Sequence, residues 1–399
     1  MKRRGFMRLA GGGVVLAAGM ASPGARAFFS TPASAVAAWL GPPAGSELRR
    51  ACLAYALLAP NPHNMQPWLA DLSEPGEIVL RLDPARLLPA TDPWGRQILM
   101  GAGAFLELLI MAAAEQGHRA ICTLFPAGLP GDRLDARPWA RVRLQPDATL
   151  ARDPLFAQVR RRRTDRRAYD LSRAPSAADV ARLHEAVAGR SVRLGFAGSA
   201  DRAVADSERV VRLRDITREA WRIELSTEPA MMESMRVLRI GSAEIDRHRD
   251  GIAIQSPLLV LMARAGLLDR QRFPEPDSMA TRSQIRDFDA LAASTPAYLW
   301  VVTEGNRREQ QIEAGRAYVR LNLAATAVGL SLHPNQQALQ EYPQVAGPYR
   351  AVHALLDAPA PGFTVQMLAR VGYRPADAAW EEPAPRRGLD ALLGMSVSG

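Results

Sequence analysis

The chain has 399 residues, 48% hydrophobic and 23% charged. That is more than one ordinary domain of roughly 100–200 residues, so two domains or two fused halves are expected; disordered, collagenous and disulfide-scaffold classes are excluded. The formal net charge is +9, but Lys2 is the single lysine. A Walker A lysine, a Schiff-base lysine and a lysine general base are therefore excluded from the mature chain.

The first element is an address. Met1 to Ala27 places Lys2-Arg3-Arg4 before an apolar run from Leu9 to Met20 and ends in Ala25-Arg26-Ala27, a small-x-small cleavage signal. The run is too short and too glycine-rich for a stable membrane span. Arg3-Arg4-Gly5-Phe6-Met7-Arg8 resembles a twin-arginine export signal, which implies the twin-arginine translocase as a partner, export in the folded state and a periplasmic or exported product. The segment holds five basic residues and no acid, so its removal takes +9 to +4 and weakens any case for nucleic-acid binding. No membrane span is expected after cleavage.

A helix is predicted from about Glu47 to Leu58. It stops at Pro60, and the chain turns through Asn61-Pro62-His63-Asn64-Met65-Gln66-Pro67-Trp68, where three amides donate and accept at once. Glu77–Leu82 reads as a buried strand. Gly103 to Gly117 reads as a buried Gly/Ala-rich helix opened by Gly103 and stopped by Gly117, and a β-like run over 120–125 follows it. Arg160 to Tyr169 (Arg-Arg-Arg-Arg-Thr-Asp-Arg-Arg-Ala-Tyr) packs six arginines into eight residues. Guanidinium forks and a threonine hydroxyl in that density suit a phosphate. Residues 201–239 read as a charged, Met-dotted helical stretch, with Met231, Met232 and Met235; a lid and an ordinary amphipathic helix both fit it. Ala297–Thr303 is a second buried strand. Gly315 to Gly329 is a second buried helix, followed by Leu330–His333 and the turn Pro334-Asn335-Gln336-Gln337. Pro385-Arg386-Arg387 is a basic tail.

The two glycine-bracketed helices resemble each other: Leu109/Leu321, Ala112/Ala324 and Ala113/Ala325 coincide. One internal duplication of an α+β unit, joined near 147–163, is the simplest account. The expected organisation is a signal over 1–27, a first half over 28–150 and a second half over 151–399, with a lid around 201–290. The two cysteines, Cys52 and Cys122, and six scattered histidines point to no metal site.

Together the Asn64-x-Gln66-Pro67-Trp68 turn, the Arg162-Arg163-Thr164-Asp165-Arg166 segment, the central Gly/Ala-rich helix and the basic tail resemble the nitroreductase superfamily of FMN proteins. The duplicated order resembles its single-chain, Acg-like, flavin-sequestering branch. The resemblance implies an α+β, nitroreductase-like fold duplicated in one chain as an intramolecular pseudo-dimer, monomeric or further paired as a homodimer. It implies FMN as cofactor, with hydride transfer at flavin N5 to a nitro, quinone or similar electron-poor acceptor. The alternative is a non-catalytic flavin-sequestering protein. Arg162, Arg386 and Arg387 would hold the phosphate, with Thr164 supporting them and Arg163 among the cofactor-binding residues. Arg166 would stand near the N1/O2 edge, Asn61, Pro62 and Asn64 would come from the first half, and Pro334, Gln336 and Gln337 would lie along the ring. The usual serines of the first turn are Asn61 and Pro62 here, and the usual acid of the later turn is Gln336. Each half lacks the other's motif, so one flavin per chain is expected. No catalytic side chain is nominated.

Overall fold

The computed structural model describes residues 30–199, 204–379 and 381–394; the segment over 1–27 expected to be an export signal lies outside them. The first unit runs α1 (Leu48–Ala56), β1 (Trp68–Asp71), β2 (Glu77–Leu82), α2 (Arg96–Glu115), β3 (His118–Leu124) and β4 (Ala140–Pro146). Glu47 caps α1 by accepting from the Arg50 amide. The strands form an antiparallel sheet in the order β1-β2-β4-β3. Ile78, Leu80 and Val142 from its inner face pack with Ile98, Leu99 and Phe105 of α2 in one core.

The second unit opens with α3 (Ala177–Ala186) and β5 (Arg193–Ala197). An insert follows: α4 (Val204–Ser226), α5 (Glu228–Arg236), β6 (Leu238–Ile240), α6 (Gly241–His248), β7 (Ile252–Ile254), α7 (Pro257–Arg264) and α8 (Met279–Ala293). The chain then returns to β8 (Ala297–Glu304), α9 (Arg308–Ala327), β9 (Ser331–Pro334), α10 (Ala346–Leu355) and β10 (Phe363–Gly372). This sheet has the order β5-β8-β10-β9. Place for place, it is the order of the first: an edge strand, the strand before the long helix, the late strand, then the strand after the helix.

The long helices α2 and α9 have 20 residues each, and α9 starts 212 residues after α2. Both begin seven residues before the glycines that the sequence pattern takes as helix starts. Gly103 and Gly315 lie inside the helices because that is where the helices touch. A Cβ on Gly103 would overlap the Ile312 carbonyl, and one on Gly315 would overlap the Met100 carbonyl. Close backbone approach needs residues without side chains. Gly117 and Gly329 do end the helices, at φ +68° and +77°. Although α2 has the length and hydropathy of a bilayer span, 89% of that window is buried in the protein. Its Glu107 is 2% exposed and accepts from Arg190 (2.5 Å), Arg316 (2.8 Å) and Arg320 (3.1 Å). A buried carboxylate joining α2 to the second unit is tolerable only with such partners.

The methionines of the insert make a small core of their own. Met231 and Met235 pack with Leu225, flanked by Trp221, Phe273 and Ile285, while Trp221 stacks on Phe288 at 4.8 Å.

Candidate functional site

The turn after α1 is the most constrained backbone in the first unit. His63, Asn64 and Gln66 all have positive φ (46°, 53° and 50°), a conformation costing on the order of 1–3 kcal/mol at non-glycine residues. Such a path leaves backbone groups without ladder partners, so the side chains must satisfy them. Asn61 Oδ1 accepts from the Gln66 amide at 2.8 Å, and Asn61 Nδ2 donates to the Ala59 carbonyl at 3.2 Å. Asn64 Nδ2 donates to the Pro385 carbonyl (3.0 Å), and Asn64 Oδ1 accepts from Arg386 (2.8 Å). Gln66 donates to the Arg249 carbonyl and accepts from the Arg387 amide, both at 2.9 Å. The amides read as flavin contacts are thus committed to the turn, the tail and the insert. Pro62 rests on α2, its Cδ 3.4 Å from where a Gly101 Cβ would sit.

The arginine segment comes to the same place from the second unit. Arg162 is 3% exposed and donates through Nη2 to the Leu58 carbonyl at 3.0 Å; its Nε and Nη1 are buried with no partner. Arg386, also 3% exposed, donates to the Leu57 (2.8 Å), Leu58 (3.0 Å) and Ala59 (3.2 Å) carbonyls. The carbonyl end of α1 is thereby capped by cations, which its dipole favours. Arg162, Arg163 and Arg386 surround the buried Trp39 ring at 5.6, 4.7 and 5.1 Å. Among the described residues no carboxylate pairs with any of the three. Burial lowers the Arg162 pKa to about 10, and burial with the charges of Arg162 and Arg163 pushes Arg386 well below its ordinary value. A cluster of uncompensated cations, with two buried unpartnered nitrogens on Arg162, suits an oxyanion such as a phosphate.

Beside this cluster Arg166 is accessible to solvent, and the recess of the site is the space it shares with the partly buried His63 and His333. His63 and His333 both feel its charge. Burial first, then Arg166, takes His63 down to about 4, and its Nδ1 has no partner. Thr164 is half-buried in the segment between Arg162 and Arg166.

Other predicted positions diverge. Arg387 is not in the Trp39 cluster; its charge meets Arg86, Asp250 and Asp83 instead. Gln336 donates to the Gln366 carbonyl and accepts from the Leu368 amide, both at 3.2 Å, closing the bulge of β10 between Val365 and Met367. Gln337 bonds Glu224 of the insert. Pro334 ends β9 opposite Ala369. Trp39, His63 and His333 were not nominated; for His63 the only signal was its place inside the proline-bounded turn.

The insert closes on the turn. The Gly251 amide donates to the Asn64 carbonyl at 3.2 Å, and Asp250, 2% exposed, pairs with Arg86 (2.7 Å) and Arg239 (2.9 Å). In the second unit the connection from α3 to β5 stands where this turn stands in the first. Beside it a cleft of about 390 Å³ is lined by Arg190, Glu313, Arg316 and Arg320, all ion-paired. Among the described residues no group of three or more His, Cys, Asp or Glu is placed to hold a metal.

No family model matches the sequence. Over 357 residues, 87% of this chain and 91% of the relative, it is 30% identical to "Putative NAD(P)H nitroreductase Rv3131" of Mycobacterium tuberculosis. The chain belongs to the nitroreductase family. A second family relative from that organism, "Putative NAD(P)H nitroreductase acg", is 27% identical over 367 residues, 87% of this chain and 96% of the relative. Among solved nitroreductases, the FMN- and NADPH-dependent NfnB of a Sphingopyxis strain is 19% identical, with a TM-score of 0.37 over 62% of this chain and all of its own. NfnB of Mycobacterium smegmatis, solved with NADPH, is 17% identical, with a TM-score of 0.35 over 59% of this chain and 96% of its own.

Proposed function

We propose that this nitroreductase-family chain is an FMN-dependent oxidoreductase, exported folded by the twin-arginine translocase, that reduces a nitro, quinone or similar electron-poor acceptor. The observation that carries it is the Trp39 cluster: three guanidinium groups, no paired carboxylate, and two buried unpartnered nitrogens on Arg162. Arg162, Arg163 and Arg386 would hold the FMN phosphate, with the Thr164 hydroxyl as a further donor. Bound FMN supplies hydride transfer at N5. Arg166 would place positive charge in the recess, where it favours an electron-rich ring. His63, neutral above about pH 4, adds no charge there. The turn from Asn61 to Gln66, fixed by its own amides, forms a rigid wall.

The chain on this reading is a pseudo-dimer from one duplication. The shared strand order, the 212-residue offset of the long helices and the reciprocal contacts of Gly103 and Gly315 support it. One flavin per chain follows, because ion pairs centred on Glu107 and Glu313 line the corresponding place in the second unit.

A second reading, flavin sequestration, is favoured by the insert, whose Arg249 and Gly251 backbones bond the site turn. One experiment tests both. The purified protein should release FMN on denaturation, near one per chain; FAD or a colourless protein after expression with added FMN would sink the site. Anaerobic reduction should bleach the flavin. Rapid recovery with nitro or quinone acceptors supports the oxidoreductase, and no recovery supports sequestration.

A further inference from the structure

His333 and Arg370 are cross-strand partners in the β9–β10 ladder. Arg370 is fully buried. Its Nε donates to Thr295 Oγ1 at 2.6 Å, its Nη2 reaches the Arg167 carbonyl (3.3 Å) and Ser294 Oγ (3.4 Å), and its guanidinium lies 4.4 Å over the Tyr169 ring. With the group held on those sides, Arg370 Nη1 stands 3.1 Å from His333 Nδ1.

That contact decides a tautomer. A guanidinium has only N–H donors, so His333 Nδ1 must accept. An imidazolium would set N–H against N–H, so the ring is neutral and its proton sits on Nε2. Burial, then the charges of Arg370 and Arg166, hold the His333 pKa well below its usual value. The Nδ1 edge is taken by Arg370; His333 is partly buried, and among the described residues its Nε2 is neither bonded nor one of the buried unpartnered atoms, so the accessible nitrogen is the one carrying Nε2–H. The Asp165 amide donates to the Leu332 carbonyl at 3.2 Å and Arg370 bonds the Arg167 carbonyl, so the segment carrying Arg166 runs beside His333, and the Arg166 charge reaches both His333 and His63.

We propose that His333 Nε2–H is a hydrogen-bond donor to an acceptor atom, a carbonyl or ring nitrogen, of the heteroaromatic ring bound in this recess, and that Arg370 is the positioning residue that fixes its tautomer. The proposal rests on the FMN reading. A neutral donor fixes ring orientation without adding a second charge to that of Arg166, so its effect is separable from that of the arginines.

The full chain, labelled with nitrogen-15 at histidine, tests it by long-range proton–nitrogen NMR together with FMN titration. His333 should show a protonated Nε2 and a bare Nδ1 from pH 5 to 8. Arg370→Gln should mix the tautomers, and Arg370→Lys, which keeps a donor, should restore the single form. His333→Ala should weaken FMN binding about tenfold, the worth of one neutral hydrogen bond, and shift the flavin absorption band and midpoint potential. His333→Gln, which keeps an N–H, should recover most of both. A protonated Nδ1 overturns the proposal. So does an unchanged affinity, spectrum and potential in a folded His333→Ala protein that binds FMN. If the wild type binds no FMN while the tautomer stands as stated, the FMN reading itself has failed, and the donor's target with it.

Discussion

Arg96 and Arg308 hold the same place in the two long helices, and each reaches into the other unit. Arg96, fully buried, donates to the Gln366 carbonyl at 2.8 Å and to the Leu339 carbonyl. Arg308 donates to the Trp94 (2.6 Å), Asp132 (2.7 Å) and Gly131 (3.1 Å) carbonyls. Arg96 satisfies carbonyls at the β10 bulge and in a 3-10 turn, and Arg308 satisfies loop carbonyls of the first unit. With the Gly103 and Gly315 contacts, this makes the junction a continuous packed core, and the recess beside it is assembled only when both units have folded.

The helix crossing is sensitive to a single methyl group. Gly103→Ala gains up to about 1 kcal/mol of helix propensity but forces a Cβ into the Ile312 carbonyl of α9, an overlap costing on the order of 3 kcal/mol or more. The net expectation is destabilisation by about 2 kcal/mol, read as a lower urea midpoint at unchanged slope. Gly117→Ala, with open space around it, should cost about 1 kcal/mol or less from its positive φ.

Arg162→Ala should weaken FMN binding by roughly ten- to a hundredfold, since a charge-assisted contact contributes about 1.5–3 kcal/mol. The same change should leave the ligand-free protein at least as stable, because it removes one of three mutually repelling cations, two of them buried. Arg161, exposed and one step along, should matter much less when changed to alanine. Isothermal titration and thermal melts check the pair, and equal losses of affinity would show that the phosphate assignment is out of register.

Glu224 on α4 is 4% exposed, and burial raises its pKa to about 7 against the bonds from Gln340, Ser234 and Gln337. The native state therefore holds its proton more tightly than the unfolded chain, whose value is 4.5. The stabilisation from this group is complete below about pH 4.5, falls as pH rises to about 7 and is level beyond, a loss of up to roughly 3 kcal/mol. Glu224→Gln should remove that fall. Denaturation midpoints at pH 4.5, 6 and 8 that stay parallel between variant and wild type would refute it.

Asp250 is the ionic joint between the insert and the first unit. Asp250→Ala leaves Arg239 without its carboxylate and Arg86 with Asp83 alone at 3.4 Å, a loss of about 3 kcal/mol from breaking a largely buried pair. Bound flavin should then exchange faster and be bleached faster by an external reductant. Stopped-flow rates equal to wild type would show that the insert does not govern access.

Export should follow ligand binding, because the site needs both units folded. Changing Arg3 and Arg4 to lysine should leave yellow, folded protein in the cytoplasm. Exporting the chain unfolded through a general secretory signal should give a largely flavin-free product. Equal flavin content by the two routes would defeat the idea that FMN is loaded before export.

What the sequence determined by itself was local or periodic. Apolar runs located the strands at Glu77–Leu82 and Ala297–Thr303, the latter running one residue further to Glu304 in the structure, and the glycine-bracketed, alanine-rich runs located both buried helices and their C-terminal stops. The proline-bounded turn and the arginine cluster marked the two chain segments that meet, because backbone restriction and charge density are properties of neighbouring residues. Tertiary structure alone decided what those residues face. Gly103 marks a crossing rather than a helix start, because its role is set by a carbonyl in the other unit. Asn61 and Asn64 bind the turn and the tail, because three left-handed residues leave backbone groups that side chains must satisfy. Arg386 joins Arg162 at Trp39 while Arg387, one residue on, lies by Arg86, Asp83 and Asp250, a division set by contacts with the first unit and the insert. His333 acquires its tautomer from Arg370, 37 residues away in the chain and opposite it in the sheet, a pairing that strand register creates and that no local pattern encodes.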